Sequence, residues 1–411
     1  MDANQNTKSR TFHSPWFIAL IALLVRFLAL WMVQAWPIHP SSELWKSGLE
    51  IVNIASSLSS HHGFSSPFGV ESGPTAWIPP VYPAIVAAIF SLAGIRTNLA
   101  AIAILSIQAL CSAAICLPLH SIAKRSFGDR CALWTTWVWA LFPYEVLVPI
   151  LFVWETAPSA LLMTLLGCRS LASRECSPRS SVITGLLWGF AALTNTALLA
   201  VMPVFLLVPH LGSPTRIRWR TIAVILLVSA VVVSPWIVRN RLALGKLVPV
   251  RSNFGEELWV GNHPGGTGRI QSNIGPSENL EERERYRTMG EIAYLSARQA
   301  EATNYIAQDP ARFLRQITYR FFYFWFAVGE SAPVFFLYRL VTVLALAGIV
   351  ISLFKRTPEI LTILGAVLLY PCVYYVTDVY PRYRYPIEPF LVMFGVFAVL
   401  QFLQFTKAKF A

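Results

Sequence analysis

Residues 43–82 read ELWKSGLEIVNIASSLSSHHGFSSPFGVESGPTAWIPPVY, the first long polar stretch in a chain that is otherwise apolar. Strongly apolar segments flank it on both sides. It carries three carboxylates (Glu43, Glu50, Glu71), a histidine pair (His61, His62) and a Gly/Pro-rich run that ends in Trp77-Ile78-Pro79-Pro80. A long polar loop with acidic groups in so apolar a chain is where chemistry is expected. The rest of the sequence then reads as a scaffold that holds this loop against a few other polar patches.

The scaffold is a membrane one. The 411 residues have room for two or three soluble domains, but 55% are hydrophobic and only 13% charged, whereas a soluble domain carries roughly a quarter charged residues. Mean hydropathy is +0.55. Apolar runs recur at the length needed to cross a hydrocarbon core about 30 Å thick. The expected class is an all-α polytopic membrane protein with about ten to eleven transmembrane helices and two long outer (periplasmic) loops. The net charge of +12 is spread over short loops between apolar runs, which is the pattern of orientation signals and argues against a nucleic-acid partner. The six cysteines lie in or beside apolar segments without CxxC spacing, so neither a disulfide framework nor a metal site is expected.

In chain order, Lys8 and Arg10 precede a first span near 14–36, read as an uncleaved helix with a cytoplasmic N-terminus. Arg26 lies inside it and needs a polar partner in the bundle. After the polar loop come apolar runs near 77–94 and 97–119, followed by Lys124, Arg125 and Arg130. Charge alternation requires an odd number of crossings here, so either one run is partial or lies in the interface, with Pro79-Pro80 favouring the earlier one, or the charge rule fails at this point. A hairpin over 132–149 and 151–171 has an outer turn carrying Glu145 and Glu155, and returns to Arg169, Arg174 and Arg179. Residues 181–210 read as two short helices broken at Leu193-Thr194-Asn195-Thr196, followed by Arg216, Arg218 and Arg220 and a span near 221–238. Next comes an outer region in which Ser277, with Asn279-Leu280-Glu281 after it, marks a helix start. An aromatic and basic interfacial helix over 312–326 and spans near 332–354, 359–377 and 385–405 complete the chain, with Lys355 and Arg356 cytoplasmic, and Lys407 and Lys409 closing the C-terminus inside. Three units are therefore expected: 1–238 with its outer loop at 37–78, 239–315 outside the membrane, and 316–411.

This topology puts Glu43, Glu50, Glu145, Glu155, Asn195, the run from Arg239 through Asn240, Arg251 and Asn262 to His263, and the pair Arg382/Arg384 at one face. Carboxylates facing arginines fit a reaction on an anionic substrate. An arginine fork matches phosphate oxygens, and a carboxylate takes the proton of an attacking hydroxyl. Gly265-Gly266-Thr267-Gly268 follows no expected strand and lacks a Lys-Ser/Thr, so it reads as a turn; Trp45, Trp77, Trp236 and Trp259 read as interface anchors.

Four segments carry a family resemblance. LEIVNIASSLSSHHGFSSPFGVESGPTAWIPPVYP (49–83), TGLLWGFAALTNTALLAVMPVF (184–205), PWIVRNRLALGKLVPVRSNFGEELWVGNHPGG (235–266) and PRYRYPIEPFLVMFGVFAVL (381–400) occur in the order found in the GT-C superfamily of membrane glycosyltransferases. The chain resembles the bacterial set that includes protein O-mannosyltransferases and the lipid A aminoarabinose transferase. The resemblance implies transfer of a sugar from a polyprenyl-phosphate carrier to an acceptor at the outer face of the inner membrane, with no cofactor. It assigns Glu50 as base, with Glu43 as runner-up, puts Arg382 and Arg384 near the carrier phosphate and matches Glu155 to an acidic position after the hairpin's proline. Better-known branches carry Asp at the base position, and here no Asp occurs between Asp2 and Asp129, which leaves the acceptor class (protein, glycolipid or envelope polymer) open. Two other classes compete: a transporter or flippase of a lipid-linked or anionic solute, and a non-catalytic membrane subunit. The chain shows no second copy of the acidic loop or of the Arg-Tyr-Arg segment, as a transporter's internal repeat would.

Overall fold

The computed structural model describes residues 12–34, 36–172, 177–210, 219–269, 271–354 and 357–410. The orientation residues Lys8, Arg10, Arg174, Arg216, Arg218, Lys355 and Arg356, together with Cys176, lie outside the described residues. The described residues are mostly helical, with one isolated bridge, between Ser65 and Pro74, and no strand among them. Six helices are long and apolar enough to cross a membrane: Pro15–Val33, Asn98–Phe127, Trp219–Leu244, Pro333–Ser352, Pro358–Val376 and Pro381–Ala408. A bent pair, Asp129–Leu141 with Pro143–Leu151, brings these to seven if it forms one span. The other crossings read from the sequence fall on shorter helices, among them Val81–Ala93, Thr156–Leu171 and Pro178–Thr194. This is a multi-pass membrane protein.

The bend in that pair explains Arg26. Pro143 starts a new helix after Leu141, at an angle of 46° to the old one, and leaves the last carbonyls of the first helix without partners. The wholly buried Arg26 supplies donors to two of them, Trp139 O at 3.2 Å and Ala140 O at 3.1 Å, and to Glu145 O of the second helix at 3.3 Å, while Nε donates to Ser112 Oγ at 2.8 Å. Glu145 therefore does not sit in an outer turn, as its sequence position led us to expect. Its side chain is fully buried, because the bend turns its helix back into the bundle.

Close helix packing rests on small residues. A Cβ on Gly189 would meet Val232 Cβ at 2.5 Å, and one on Gly348 would lie 1.9 Å from Phe394 O. The first pairs Pro178–Thr194 with Trp219–Leu244. The second seats Pro333–Ser352 on the C-terminal helix, the most enclosed of the spans. The expected break in 181–210 is present: Pro178–Thr194 ends at Asn195, whose side chain accepts from Ala197 N at the head of a 3-10 turn, Thr196–Val201.

Residues 43–82 are not the loop they resemble. Their first part folds into helices Glu43–Ser47 and Leu49–Ser59, because Ile51, Val52, Ile54, Ala55 and Leu58 recur at helical spacing and bury one face against Val81–Ala93. The turn between them needs Gly48, where a Cβ would stand 2.4 Å from Val153 O. Trp45 and Trp77 are buried rather than interfacial: Trp45 packs on Phe90, and Trp77 on Phe68 and Tyr286. Glu291 clamps the stretch to the 239–315 region. Its carboxylate accepts from Thr75 Oγ1, from Ala76 N at 2.8 Å, from Ser252 Oγ at 2.7 Å and from Tyr286 Oη at 2.8 Å. In that region Asn279, two residues past the expected signal at Ser277, caps Leu280–Met289 by accepting from Glu281 N and Glu282 N.

Candidate functional site

One cavity of about 950 Å³ opens where the first polar stretch, the bent hairpin, the Asn195 break, the 239–315 region and the loop before the last helix converge. That is ample for a sugar-phosphate headgroup. Glu50, Glu155, Asn195, Arg251 and Arg382 all line it, so five side chains singled out from the sequence, on five separate segments, meet there.

The local folding of each is simple. Glu50 lies in the first turn of Leu49–Ser59, where a carboxylate is favoured by the helix dipole, and it accepts from Ser277 Oγ at 2.8 Å. Glu155 is the residue before Thr156–Leu171 and lines the cavity after the short break that follows Pro143–Leu151. Burial pushes its carboxyl above the ordinary range, and the positive charges of Arg382 and Arg251 oppose that shift. Arg251 is spoken for: it donates to Glu257 Oε1 at 2.8 Å and also to Asn253. Arg382 is different. Among the described residues its guanidinium has no ion pair or hydrogen bond; it lies 3.5 Å from the Trp154 ring, with the rings of Tyr380 and Tyr383 at 4.8 and 5.1 Å. An aromatic cradle of this kind holds a guanidinium in place while leaving its N–H fork free for an anion.

The remaining sequence candidates lie elsewhere. Glu43 is exposed and pairs with Lys46 at 2.9 Å. Arg239 donates to Thr75 O and Phe64 O, both at 2.6 Å, stacked between Phe64 and Trp236; Asn240 is buried on Val248 O. Asn262 ties Leu258 O to Val376 O, and His263 contacts Pro264 O and the Gln271 side chain. Arg384 is wholly buried in an ion pair with Glu388 and donates to Trp325 O at 2.9 Å and Tyr338 O at 3.2 Å. It supports the end of the aromatic helix Pro310–Phe326 and stays out of the cavity.

The cavity also holds groups that the sequence reading did not assign to the site: Trp154, Glu256, Glu257, Ser277 and Asp378. Asp378 stands four residues before Arg382, and burial, then the nearby Glu257, push its carboxyl well above the ordinary range. Glu256 is pushed up to about 8 by burial, with Arg298 opposing. Sequence proximity to a candidate was the one hint for most of these: Trp154 precedes Glu155, Glu256 and Glu257 follow Arg251, and Asp378 precedes Arg382. The cavity is thus acid-rich, and Arg382 is its one arginine not already engaged by a carboxylate among the described residues. Among those residues no cluster of three or more His, Cys, Asp or Glu is set to hold a metal ion.

The model of the dolichyl-phosphate-mannose-protein mannosyltransferase family matches residues 78–238. Curated protein sequences give no match. Among solved structures, the Archaeoglobus fulgidus oligosaccharyltransferase in complex with Zn and sulfate aligns over 96% of this chain and 49% of its own, with a TM-score of 0.57 at 15% identity. The archaeal oligosaccharyltransferase AglB from Archaeoglobus fulgidus, in complex with an inhibitory peptide and a dolichol-phosphate, gives a TM-score of 0.56 at 16% identity, over 96% of this chain and 51% of its own. ArnT from Cupriavidus metallidurans bound to undecaprenyl phosphate aligns over 93% of this chain and 59% of its own, with a TM-score of 0.50 at 16% identity. The chain spans about half the length of the archaeal enzyme it matches. These matches bear out the GT-C resemblance read from the sequence.

Proposed function

We propose, for a chain whose fold is that of the GT-C glycosyltransferases, that it moves a sugar from a polyprenyl-phosphate carrier to an acceptor at the outer face of the inner membrane. The observation that carries this reading is Arg382. A cation stacked on Trp154 with its donors free shares one cavity with the carboxylate of Glu50. The carrier phosphates bound by AglB and ArnT, and the family model over 78–238, support it.

In this reading the acceptor hydroxyl gives its proton to Glu50 as its oxygen attacks the anomeric carbon. The bond from that carbon to the phosphate oxygen breaks, and the electron pair leaves with the phosphate, where Arg382 meets the growing charge. A phosphate leaving group needs no general acid, so one base and one cation suffice. Asn195 and Glu155, which line the same cavity, would hold sugar hydroxyls in this reading. Arg384, assigned to the carrier by motif alone, has no access to it here, and the phosphate contact rests on Arg382.

The test is transfer of labelled sugar from polyprenyl-phosphate donors in membranes containing wild type, Glu50→Gln or Arg382→Ala, scored together with carrier binding. Turnover lost with binding retained in Glu50→Gln, and both lost in Arg382→Ala, is the expected pattern. A wild type that binds carrier without ever turning it over sinks the reading.

A further inference from the structure

Glu50 and Ser277 are 227 residues apart, and Ser277 Oγ donates to Glu50 Oε1 at 2.8 Å. The sequence offers Ser277 only as a helix-start signal, yet Asn279 does the capping, so the hydroxyl is free for another task. We infer that Ser277 is a positioning residue that fixes the carboxylate of Glu50 for proton transfer. This rests on the proposed role of Glu50 as base.

The segment that carries Ser277 is held from three sides. Arg283, one turn into the following helix, donates to Pro276 O at 2.9 Å and to Ser277 O at 2.6 Å. Asn279 N donates to Gly275 O at 3.1 Å, which closes a tight turn over these residues. Gly275 lies directly on Glu256, since a Cβ there would come within 2.3 Å of Glu256 Oε1. Gly275, Pro276 and Ser277 all border the cavity, so this braced turn forms part of its wall. A glutamate side chain has three rotatable bonds, and a base that must meet an acceptor hydroxyl at one place gains from having one carboxylate oxygen held. With Oε1 engaged by Ser277, Oε2 is the oxygen left for the acceptor. The region outside the membrane thereby completes a site whose base comes from the first polar stretch.

The test compares Ser277→Ala, Ser277→Cys and Ser277→Thr with Glu50→Gln in the same transfer assay. Cysteine nearly matches serine in shape but is a poor donor, and threonine keeps the hydroxyl. Ser277→Ala and Ser277→Cys are expected to lower kcat about tenfold, the scale of one hydrogen bond to a charged group, with KM for the carrier unchanged and Ser277→Thr near wild type. If Ser277→Cys keeps full kcat, or if Thr fails to retain it, the residue acts only through packing and the inference is overturned. If Glu50→Gln abolishes turnover while Ser277→Ala leaves it intact, the inference falls and the base assignment stands. If Glu50→Gln itself turns over normally, both fall together.

Discussion

Arg382→Ala is the substitution that bears hardest on this structure, and its neighbour Arg384 supplies the contrast. The Arg382 guanidinium lies 3.5 Å from the Trp154 ring at the cavity wall, with no carboxylate partner among the described residues. Removing it breaks no ion pair, and the buried carboxyls it faces, Glu155 and Asp378, are already pushed toward their neutral forms by burial, so folding should change by only about 1 kcal/mol. Removing a fixed donor at the place where charge develops in the transition state costs about 2.7–4 kcal/mol, or roughly 10²–10³ in rate. We therefore expect Arg382→Ala to melt like wild type while sugar transfer falls by about two orders of magnitude and carrier binding weakens. Arg382→Lys keeps the charge and loses the planar fork, and should fall between the two. Arg384→Ala should do the reverse. It strands Glu388 as an uncompensated buried charge, at a cost of about 3–5 kcal/mol in stability, with near-normal carrier affinity in whatever protein folds. Thermal unfolding of detergent-purified variants, paired with labelled-carrier binding, separates these outcomes. Normal binding and turnover in Arg382→Ala, with Arg384→Ala well folded but unable to bind carrier, would refute the placement of the phosphate.

Other expectations follow from the packing. Gly261→Ala would put a Cβ 1.7 Å from Thr377 O, forcing the helix Phe254–Asn262 off the loop that leads to Asp378; a loss of about 1–3 kcal/mol in thermal stability is expected, and an unchanged melting curve would disprove the contact. Arg26→Leu removes the donors from the carbonyls at the bend, and should prevent recovery of folded protein from detergent extracts or lower its melting temperature sharply, since several buried acceptors lose their partner at once. Glu256 holds its proton in the folded protein up to about pH 8, whereas the unfolded chain releases it near 4.5. Its contribution to stability is therefore complete below the unfolded value and is lost as pH rises through the interval between them, with a slope of up to about 1.4 kcal/mol per pH unit. Glu256→Gln should flatten the melting-temperature profile over that interval, and a variant profile parallel to wild type would count against it.

How much of this was legible beforehand can be judged from particular residues. The break at Asn195 was readable because a polar residue in the middle of an apolar run too long for one helix leaves few other options, and it marked both the helix end and a cavity residue. The run after Pro79-Pro80 folds as Val81–Ala93, a helix of 13 residues. Residues 43–59 misled because their serines and glutamates mask an apolar helical face, a pattern that only becomes plain once Val81–Ala93 is seen packed on it. Glu145 misled because a proline-bounded acidic turn looks external, and nothing local announces that the chain bends back into the bundle. Trp45 and Trp77 followed a statistical preference for membrane interfaces, and tertiary packing overrode it.

Composition and the length of the apolar runs determined the class of this protein, since unbroken apolar runs of spanning length satisfy their backbone in lipid as helices, whereas barrel strands alternate apolar with polar residues. They also determined that its few polar residues must gather somewhere, because each is costly in hydrocarbon. Which of them gather was decided by the tertiary structure alone. Arg382 and Arg384 are two residues apart on the 3-10 turn Pro381–Ile387. At about three residues per turn, that spacing points their side chains in different directions. One therefore enters the cavity and the other enters the core. No pattern in the chain signals the meeting of Glu50 with Ser277 across 227 residues, because that contact depends on how the 239–315 region settles on the helices around it.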